Sequence, residues 1–465
     1  MTLFGTNGVR GIANEDLSPE LSLNLARSLA TFLWEKKDGG SFKKTPFVVL
    51  GTDTRVSGAM IQSAVASGLL SCGAAVIHVG IVPTPSLQYY VKNNADIDAG
   101  IIVTASHNPR EYNGIKFIDA DGTEFSRADE KRVEEIYESG RFFKADWAKT
   151  GKLLFDSGCN ESYVSGILAL VDKKSISQRA FKVLTDTGNG AGSLTMPDML
   201  RRLGCRVFSL NAQPDGTFPW RNPEPVFEAL SEASSIIQNS AFDLGVAQDG
   251  DADRAVFIDE NGDFIDDEIM LAAVEKYILQ KEKGPVVTTV STSLRFTDIA
   301  KEEEVDIYYT PVGSVDVGRK MVEVGAVYGG EGNGGIIYPR HQVCRDGAMA
   351  AALVLEMLAQ TGMKASEIKR MVPTYFNNKT KILVAENLSD TMEKISSQIS
   401  RDQKEINVSK IETIDGIKLW FPAGWLLIRP SGTEPMIRVV SEAKTPEDAK
   451  KYLEIGEKYV RLFSN

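Results

Sequence analysis

Three observations in this sequence predict an α/β fold of three similar units followed by a smaller α+β domain. The first is a recurring kind of strand, in Phe47-Val-Val-Leu-Gly-Thr-Asp-Thr-Arg55, Phe181-Lys-Val-Leu-Thr-Asp-Thr-Gly-Asn-Gly190 and Val286-Val-Thr-Thr-Val-Ser-Thr-Ser293. Each runs into small polar residues and then a helical pattern, which implies βαβ units and mostly parallel sheets. The second is their recurrence at intervals of roughly a hundred residues, a weak repeat signal. The third is a change of pattern after 361–373, where 379–385 and 418–428 read as strands around a helix at 388–399. A loop, a strand and a last helix from Pro446 complete that part.

Taken in order, the first residues, Met1-Thr-Leu-Phe-Gly-Thr-Asn, show no basic region before an apolar core, so no secretion signal is expected. From Val56 to Val91 there is no Asp, Glu, Lys or Arg. That length invites a membrane reading, but Ser57-Gly58, Gln62, Gly73, His78, Gly80 and Pro83-Thr-Pro85 interrupt it. A buried helix at 60–72 and a buried strand at 75–79 explain it better. The apolar run Ala99-Gly-Ile-Ile-Val103 reads as a buried strand. It leads into Thr104-Ala-Ser-His-Asn-Pro-Arg-Glu-Tyr-Asn-Gly-Ile-Lys116, where Asn108-Pro109 and Asn113-Gly114 are turn signals. Ser106 and His107 therefore sit on a loop at the carboxyl end of a strand, where open α/β sheets place ligands. An incidental polar turn is the competing reading. Boundaries are expected near 145–155, 259–262 and 361–373.

With 465 residues, 43% hydrophobic and 25% charged, the chain can form several cores. A net charge of −11 argues against a nucleic-acid partner or an acidic membrane surface. Cys72, Cys159, Cys205 and Cys344 are widely spaced, which suggests neither a zinc site nor a disulfide framework and fits a reducing cytoplasm.

The sharpest metal signal is Asp249-Gly-Asp-Ala-Asp-Arg254. On an extended segment its three carboxylates would share one face, and an all-oxygen set selects a hard cation such as Mg²⁺. A calcium loop nearly fits, because Glu260 stands twelfth from Asp249, but Arg254 occupies the position that needs glycine, and 242–247 and 255–259 read as strands. A solvated acidic turn is the other rival. In Arg429-Pro-Ser-Gly-Thr-Glu-Pro-Met-Ile-Arg438, hydroxyls and backbone donors lie between two arginines suited to bidentate phosphate contacts. A hairpin with incidental arginines is the alternative. Tyr328-Gly-Gly-Glu-Gly-Asn-Gly-Gly335 places Glu331 and Asn333 in a glycine-rich loop that suits sugar hydroxyls, or is simply a flexible turn.

Together with Phe4-Gly-Thr-Asn-Gly-Val-Arg-Gly11, these motifs resemble, in order and over the full length, the α-D-phosphohexomutase family, and within it the archaeal phosphoglucosamine mutase-type members that share Gly80-Ile-Val-Pro-Thr-Pro85. The resemblance implies three α/β/α mixed-sheet domains and a smaller α+β C-terminal domain around a central cleft, divided here as 1–150, 151–257, 258–368 and 369–465. It implies that Ser106 is a phosphoserine, and that Asp249, Asp251 and Asp253 hold Mg²⁺ beside it, with Ser106 as a further ligand. Glu331 and Asn333 would read the sugar. Arg429, Ser431, Gly432, Thr433 and Arg438 would grip the non-reacting phosphate. Arg10, His107 and Arg254 would orient or stabilise the transferred group, with Lys116 as general base if burial and neighbouring cations lower its pKa.

The implied reaction interconverts hexose 6-phosphate and hexose 1-phosphate through a hexose bisphosphate that also primes the enzyme, with glucosamine phosphate favoured. A broad phosphomannomutase/phosphoglucomutase is the alternative; a serine phosphatase and a non-catalytic sugar-phosphate binder are more distant ones. The partners expected are the hexose phosphate and, as an option, a second copy in a homodimer, with no nucleic acid and no membrane. Two departures bear on substrate choice. Asn333-Gly-Gly335 stands where bacterial members often carry Ser-Gly-His, and Ser314 stands where a histidine is often found.

Overall fold

The structure, a computed structural model, describes residues 3–5, 7–38, 45–384, 387–431 and 435–464. It contains four sheets. The first has six strands in the order Val9–Ile12, Tyr112–Asp119, Ala99–Val103, Phe47–Thr52, Ala75–Ile81 and Leu153–Phe155. The second orders Phe264–Ile265, Ala255–Ile258, Leu244–Gln248, Lys182–Asp186 and Arg206–Leu210; the third, Ile307–Thr310, Val286–Thr289, Tyr328–Glu331 and Gly335–Ile337. The strands of the fourth, Phe376–Leu383, Met436–Ala443, Gly424–Pro430, Ile417–Phe421 and Lys410–Glu412, are all antiparallel.

Strand alternation explains why the first three sheets are covered on both faces. Val48 and Leu50 join a core with Leu25, Leu29 and Leu33 of the helix Pro19–Asp38. Val49 points the other way, into a core with Leu87 and Val91 of the helix Thr84–Lys92. These side chains are fully buried or nearly so, and cutting any of the leucines to alanine would cost about 2–5 kcal/mol. The uncharged run divides into the helix Gly58–Ser71, the strand Ala75–Ile81 and all but the last residue of the helix Thr84–Lys92. Among the described residues no helix is long and apolar enough to cross a membrane.

The first three sheets are mixed, as the resemblance implies. Each of the first three sheets has a parallel centre with antiparallel strands added at one side. Those antiparallel pairs matter most, because each candidate loop joins one. Ala99–Val103 and Tyr112–Asp119 flank Ser106, and Leu244–Gln248 and Ala255–Ile258 flank Asp249 to Asp253. Tyr328–Glu331 and Gly335–Ile337 flank Asn333. In the fourth sheet Gly424–Pro430 pairs with Met436–Ala443, with Arg429 directly opposite Arg438. The turn after Val103 is shorter than its sequence suggests, since Tyr112 to Lys116 already belong to a strand. The stretch 418–428 is a hairpin, broken at Pro422-Ala423, because proline withholds a ladder donor.

Candidate functional site

Ser106 is fully buried, with φ 52°, a left-handed backbone conformation that costs a non-glycine residue energy unless its surroundings hold it. Two buried residues supply that hold. The Arg55 guanidinium donates to the carbonyls of Ser106 (2.8 Å), Asn108 (2.7 Å), Pro109 (2.6 Å) and Tyr112 (2.8 Å), and Arg55 Nε pairs with Asp53 at 3.0 Å. Asp53 also accepts from Thr104 Oγ1 (2.6 Å), which in turn accepts the Ser106 N–H (2.9 Å). One ion pair thus controls both peptide groups of the serine. Neither Asp53 nor Arg55 was assigned a role from sequence; two opposite charges ending a buried strand were the available signal.

The second sheet repeats the device. Arg221 pairs with Asp186 at 3.1 Å and donates to the Gln248 carbonyl at 2.6 Å, steadying the strand end that carries Asp249. The carboxylates of Asp249, Asp251 and Asp253 each offer an oxygen within 4.8 Å of the others. They do so on a turn rather than an extended segment. Ala252 N bonds Asp249 O at 3.2 Å and Ala252 has φ 58°, so the turn, not strand alternation, gathers them. Gly250 is required by close approach: a Cβ there would lie 2.6 Å from the Ser106 carbonyl oxygen.

Ser106 Oγ donates to Asp249 Oδ2 at 2.8 Å and lies 3.4 Å from His107 Nδ1. Lys116, itself buried, places Nζ 2.8 Å from Asp251 Oδ2 and 3.9 Å from Asp253. Its immediate neighbours are therefore carboxylates, not the cations expected for it. Thr84 Oγ1 also donates to Asp251 (2.6 Å). Arg10 bonds the Asn108 side chain (2.6 Å) and the Ala105 carbonyl (3.3 Å), and Arg254 Nε lies 3.9 Å from Asp253.

Burial, reinforced by Asp253 and Asp251, pushes the Asp249 carboxyl well up; at Asp251 burial pushes the same way, but Lys116, Thr84 and Arg10 together overcome it and hold that carboxyl well below the usual range. Three carboxylates this close resist joint ionisation. Asp251 Oδ1 and Asp253 Oδ1 are buried without a hydrogen-bond partner, so the all-oxygen cluster fits a hard divalent cation. Burial and the nearby Arg254, Arg10 and Arg345 depress His107 to about 2, leaving a neutral imidazole beside the serine.

Glu331 ends its strand and pairs with Arg345 Nη1 at 2.9 Å, and Arg345 Nη2 reaches Asp253 at 2.5 Å. Arg345, which no sequence signal marked, thereby joins the carboxylate turn to the glycine-rich loop. That loop also docks through Gly334 O, which accepts Ala255 N at 3.1 Å. Asn333 Oδ1 is buried with no partner. Ser314 bonds Asn7 (3.0 Å) and Glu124 (2.8 Å), tying the third sheet's region to the first. His341 is buried elsewhere, stacked on Tyr89 and bonded to Asp346 at 3.0 Å.

Ser106, His107, Arg10, Lys116, the three aspartates, Arg254 and, through Arg345, Glu331 thus form one constellation. The fourth-sheet residues form a second group. Arg429 Nε donates to Asp415 at 2.6 Å, and Asp415 also accepts Val312 N at 3.0 Å. Ser431 N bonds Met436 O at 2.9 Å, opening the turn. Gly432 and Thr433 lie outside the described residues.

Four family profiles match the chain: phosphoglucomutase/phosphomannomutase alpha/beta/alpha domain I over 1–144, domain II over 161–262, domain III over 266–375 and the C-terminal domain over 381–455. A phosphoglucomutase/phosphomannomutase of Thermococcus kodakarensis is 46% identical over 457 residues, 98% of each chain. A phosphoglucosamine/phosphogalactosamine mutase of Sulfurisphaera tokodaii is 40% identical over 446 residues, 95% of each. A phosphoglucomutase/phosphomannomutase family protein of Burkholderia thailandensis shares the fold, with a TM-score of 0.88 at 23% identity over 100% of this chain and 98% of that one. These matches define a mutase. The chain belongs to the phosphoglucomutase/phosphomannomutase family.

Proposed function

We propose that this mutase interconverts hexose 6-phosphate and hexose 1-phosphate through a phosphoserine at Ser106, with glucosamine phosphate as the favoured substrate. One observation carries the reading: a fully buried serine hydroxyl held 2.8 Å from a carboxylate of a three-aspartate cluster. A four-domain division at 1–150, 151–257, 258–368 and 369–465 assigns one loop of this chemistry to each domain.

The phosphoryl group leaves Ser106 Oγ for a hydroxyl of the bound hexose phosphate, giving a bisphosphate. After the intermediate reorients, its other phosphate returns to Ser106. Asp249, Asp251 and Asp253 would hold Mg²⁺, with an oxygen at Ser106 as a further ligand, and the ion supplies charge neutralisation for the transferred group. Arg10 and Arg254 bring further positive charge to the same place. His107, a neutral imidazole, orients the serine oxygen by hydrogen bonding. Lys116 exchanges the proton of the attacked hydroxyl from a site on the strand that follows the serine turn. Glu331 and Asn333 read sugar hydroxyls; the orphaned Asn333 Oδ1 is an acceptor in want of a donor. Arg429, Ser431, Gly432, Thr433 and Arg438 bind the phosphate that is not reacting, so either orientation of the sugar can be held.

The preference for glucosamine rests on likeness to relatives such as the Sulfurisphaera tokodaii enzyme. The higher identity to a phosphoglucomutase/phosphomannomutase supports a broad hexose phosphate specificity as the second reading. Turnover of glucosamine, glucose and mannose phosphates, compared side by side with a hexose bisphosphate primer, decides between them. Faster turnover of mannose 1-phosphate than of glucosamine phosphate would remove the preference. Release of inorganic phosphate without isomer would mean a phosphatase.

A further inference from the structure

The strand Leu153–Phe155 forms one edge of the first sheet, parallel to Ala75–Ile81, and among the described residues nothing pairs with its outer side. Sheets commonly guard such an edge with charge, proline or a bulge. Here Leu153 is 44%, Leu154 42% and Phe155 74% exposed, and Trp147 just before them is 87% exposed.

The backbone shows which groups are free. Lys152 O accepts Val76 N at 2.8 Å, and Asp156 N donates to His78 O at 3.1 Å. Residues 152, 154 and 156 therefore turn their peptide groups inward, and Leu153 and Phe155 turn theirs outward. We propose that this edge pairs antiparallel with the same edge of a second copy, about a two-fold axis through Leu154, to make one continuous sheet across a homodimer.

The sequence Lys152-Leu-Leu-Phe-Asp156 is self-complementary in that register. Leu153 stands opposite Phe155 of the second copy and Phe155 opposite its Leu153, the hydrogen-bonded positions of an antiparallel pair. Lys152 then faces the second copy's Asp156 at each end. Sliding by one hydrogen-bonding step places either Lys152 or Asp156 against Leu154, so charge selects one register. Asp156 is already fixed by Tyr90 Oη (2.5 Å) and Gly158 N (2.7 Å), and the Tyr90 bond foremost holds its carboxyl below the usual value. The edge lies across the sheet from Val9–Ile12 and Tyr112–Asp119, so pairing there does not involve the Ser106 turn.

Sedimentation velocity on the full chain, from low to several hundred micromolar, tests this. The wild type should form a dimer. Lys152→Asp and Asp156→Lys, each placing like charges opposite one another, should weaken the dimer at least about tenfold, and the double exchange should restore it. Phe155→Pro, which removes an outward donor and the ring that meets His78 but no hydrogen bond within the sheet, should also give monomer with mutase activity kept. A wild type that is monomeric throughout, or a dimer indifferent to all these variants, would overturn the proposal.

Discussion

Arg55 donates to the carbonyl oxygen of Ser106 at 2.8 Å while its own Nε is held by Asp53 at 3.0 Å. The strand end of one βα unit therefore sets the left-handed conformation of a residue on the neighbouring turn. Arg55 fills four carbonyl contacts from one planar fork, which a lysine ammonium cannot reproduce. Arg55→Lys should lower kcat about 100-fold, the scale of a small misplacement of a reacting group, with KM nearly unchanged. Steady-state kinetics check this; a change confined to KM would place Arg55 in substrate binding instead.

The carboxylate cluster predicts a metal requirement. Chelation should lower turnover by more than ~100-fold, and Mg²⁺ should restore it. Mg²⁺ should also raise the melting temperature, because a ligand bound only to the folded state stabilises it. That rise should vanish in Asp251→Asn, as differential scanning calorimetry would show.

Asp415 holds Arg429 at 2.6 Å and touches Val312 of the third sheet's region. Loss of one charge-assisted bond is worth ~1.4 kcal/mol, or about tenfold in binding. Asp415→Ala should raise KM by about that factor with little change in kcat, and Asp415→Asn should recover part of it. An effect on kcat alone would contradict this positioning role.

Much of this arrangement was legible in the sequence. The strands before Ser106 and Asp249 and the uncharged run follow from local composition and turn chemistry, whereas Arg10, His107, Lys116 and Arg254 were grouped with Ser106 by the family resemblance. The strand Tyr112–Asp119 was not legible, because it interleaves turn residues with apolar ones and only pairing with Ala99–Val103 and Val9–Ile12 makes it a strand. Arg345 and Asp415 escaped notice for a related reason. Each acts across large sequence separations, Arg345 on Asp253 and Asp415 on Val312, and local pattern carries no trace of such contacts.

Glu268 gives a pH signature. Its half-buried carboxylate accepts Ser293 N at 3.0 Å and packs against Gly332, where a Cβ would lie 1.9 Å from Oε1. Burial pushes it up to about 8; the Ser293 bond opposes this and Glu442 adds to it. The folded pKa lies above the unfolded value near 4.5, so its stabilising contribution is complete below 4.5 and is lost as pH rises through about 8. Glu268→Gln should lack that decline and be the more stable protein above pH 8 by ~1–2 kcal/mol, read from denaturant melts.

The central claim is that Ser106 carries the phosphoryl group. Incubation with a hexose 1,6-bisphosphate, followed by peptide mass spectrometry, should find one phosphoryl group on the peptide containing Ser106. Adding hexose 6-phosphate should discharge it with formation of bisphosphate, and Ser106→Ala should neither load nor turn over. Turnover by a Ser106→Ala protein, or phosphate resident on another side chain, would contradict the account.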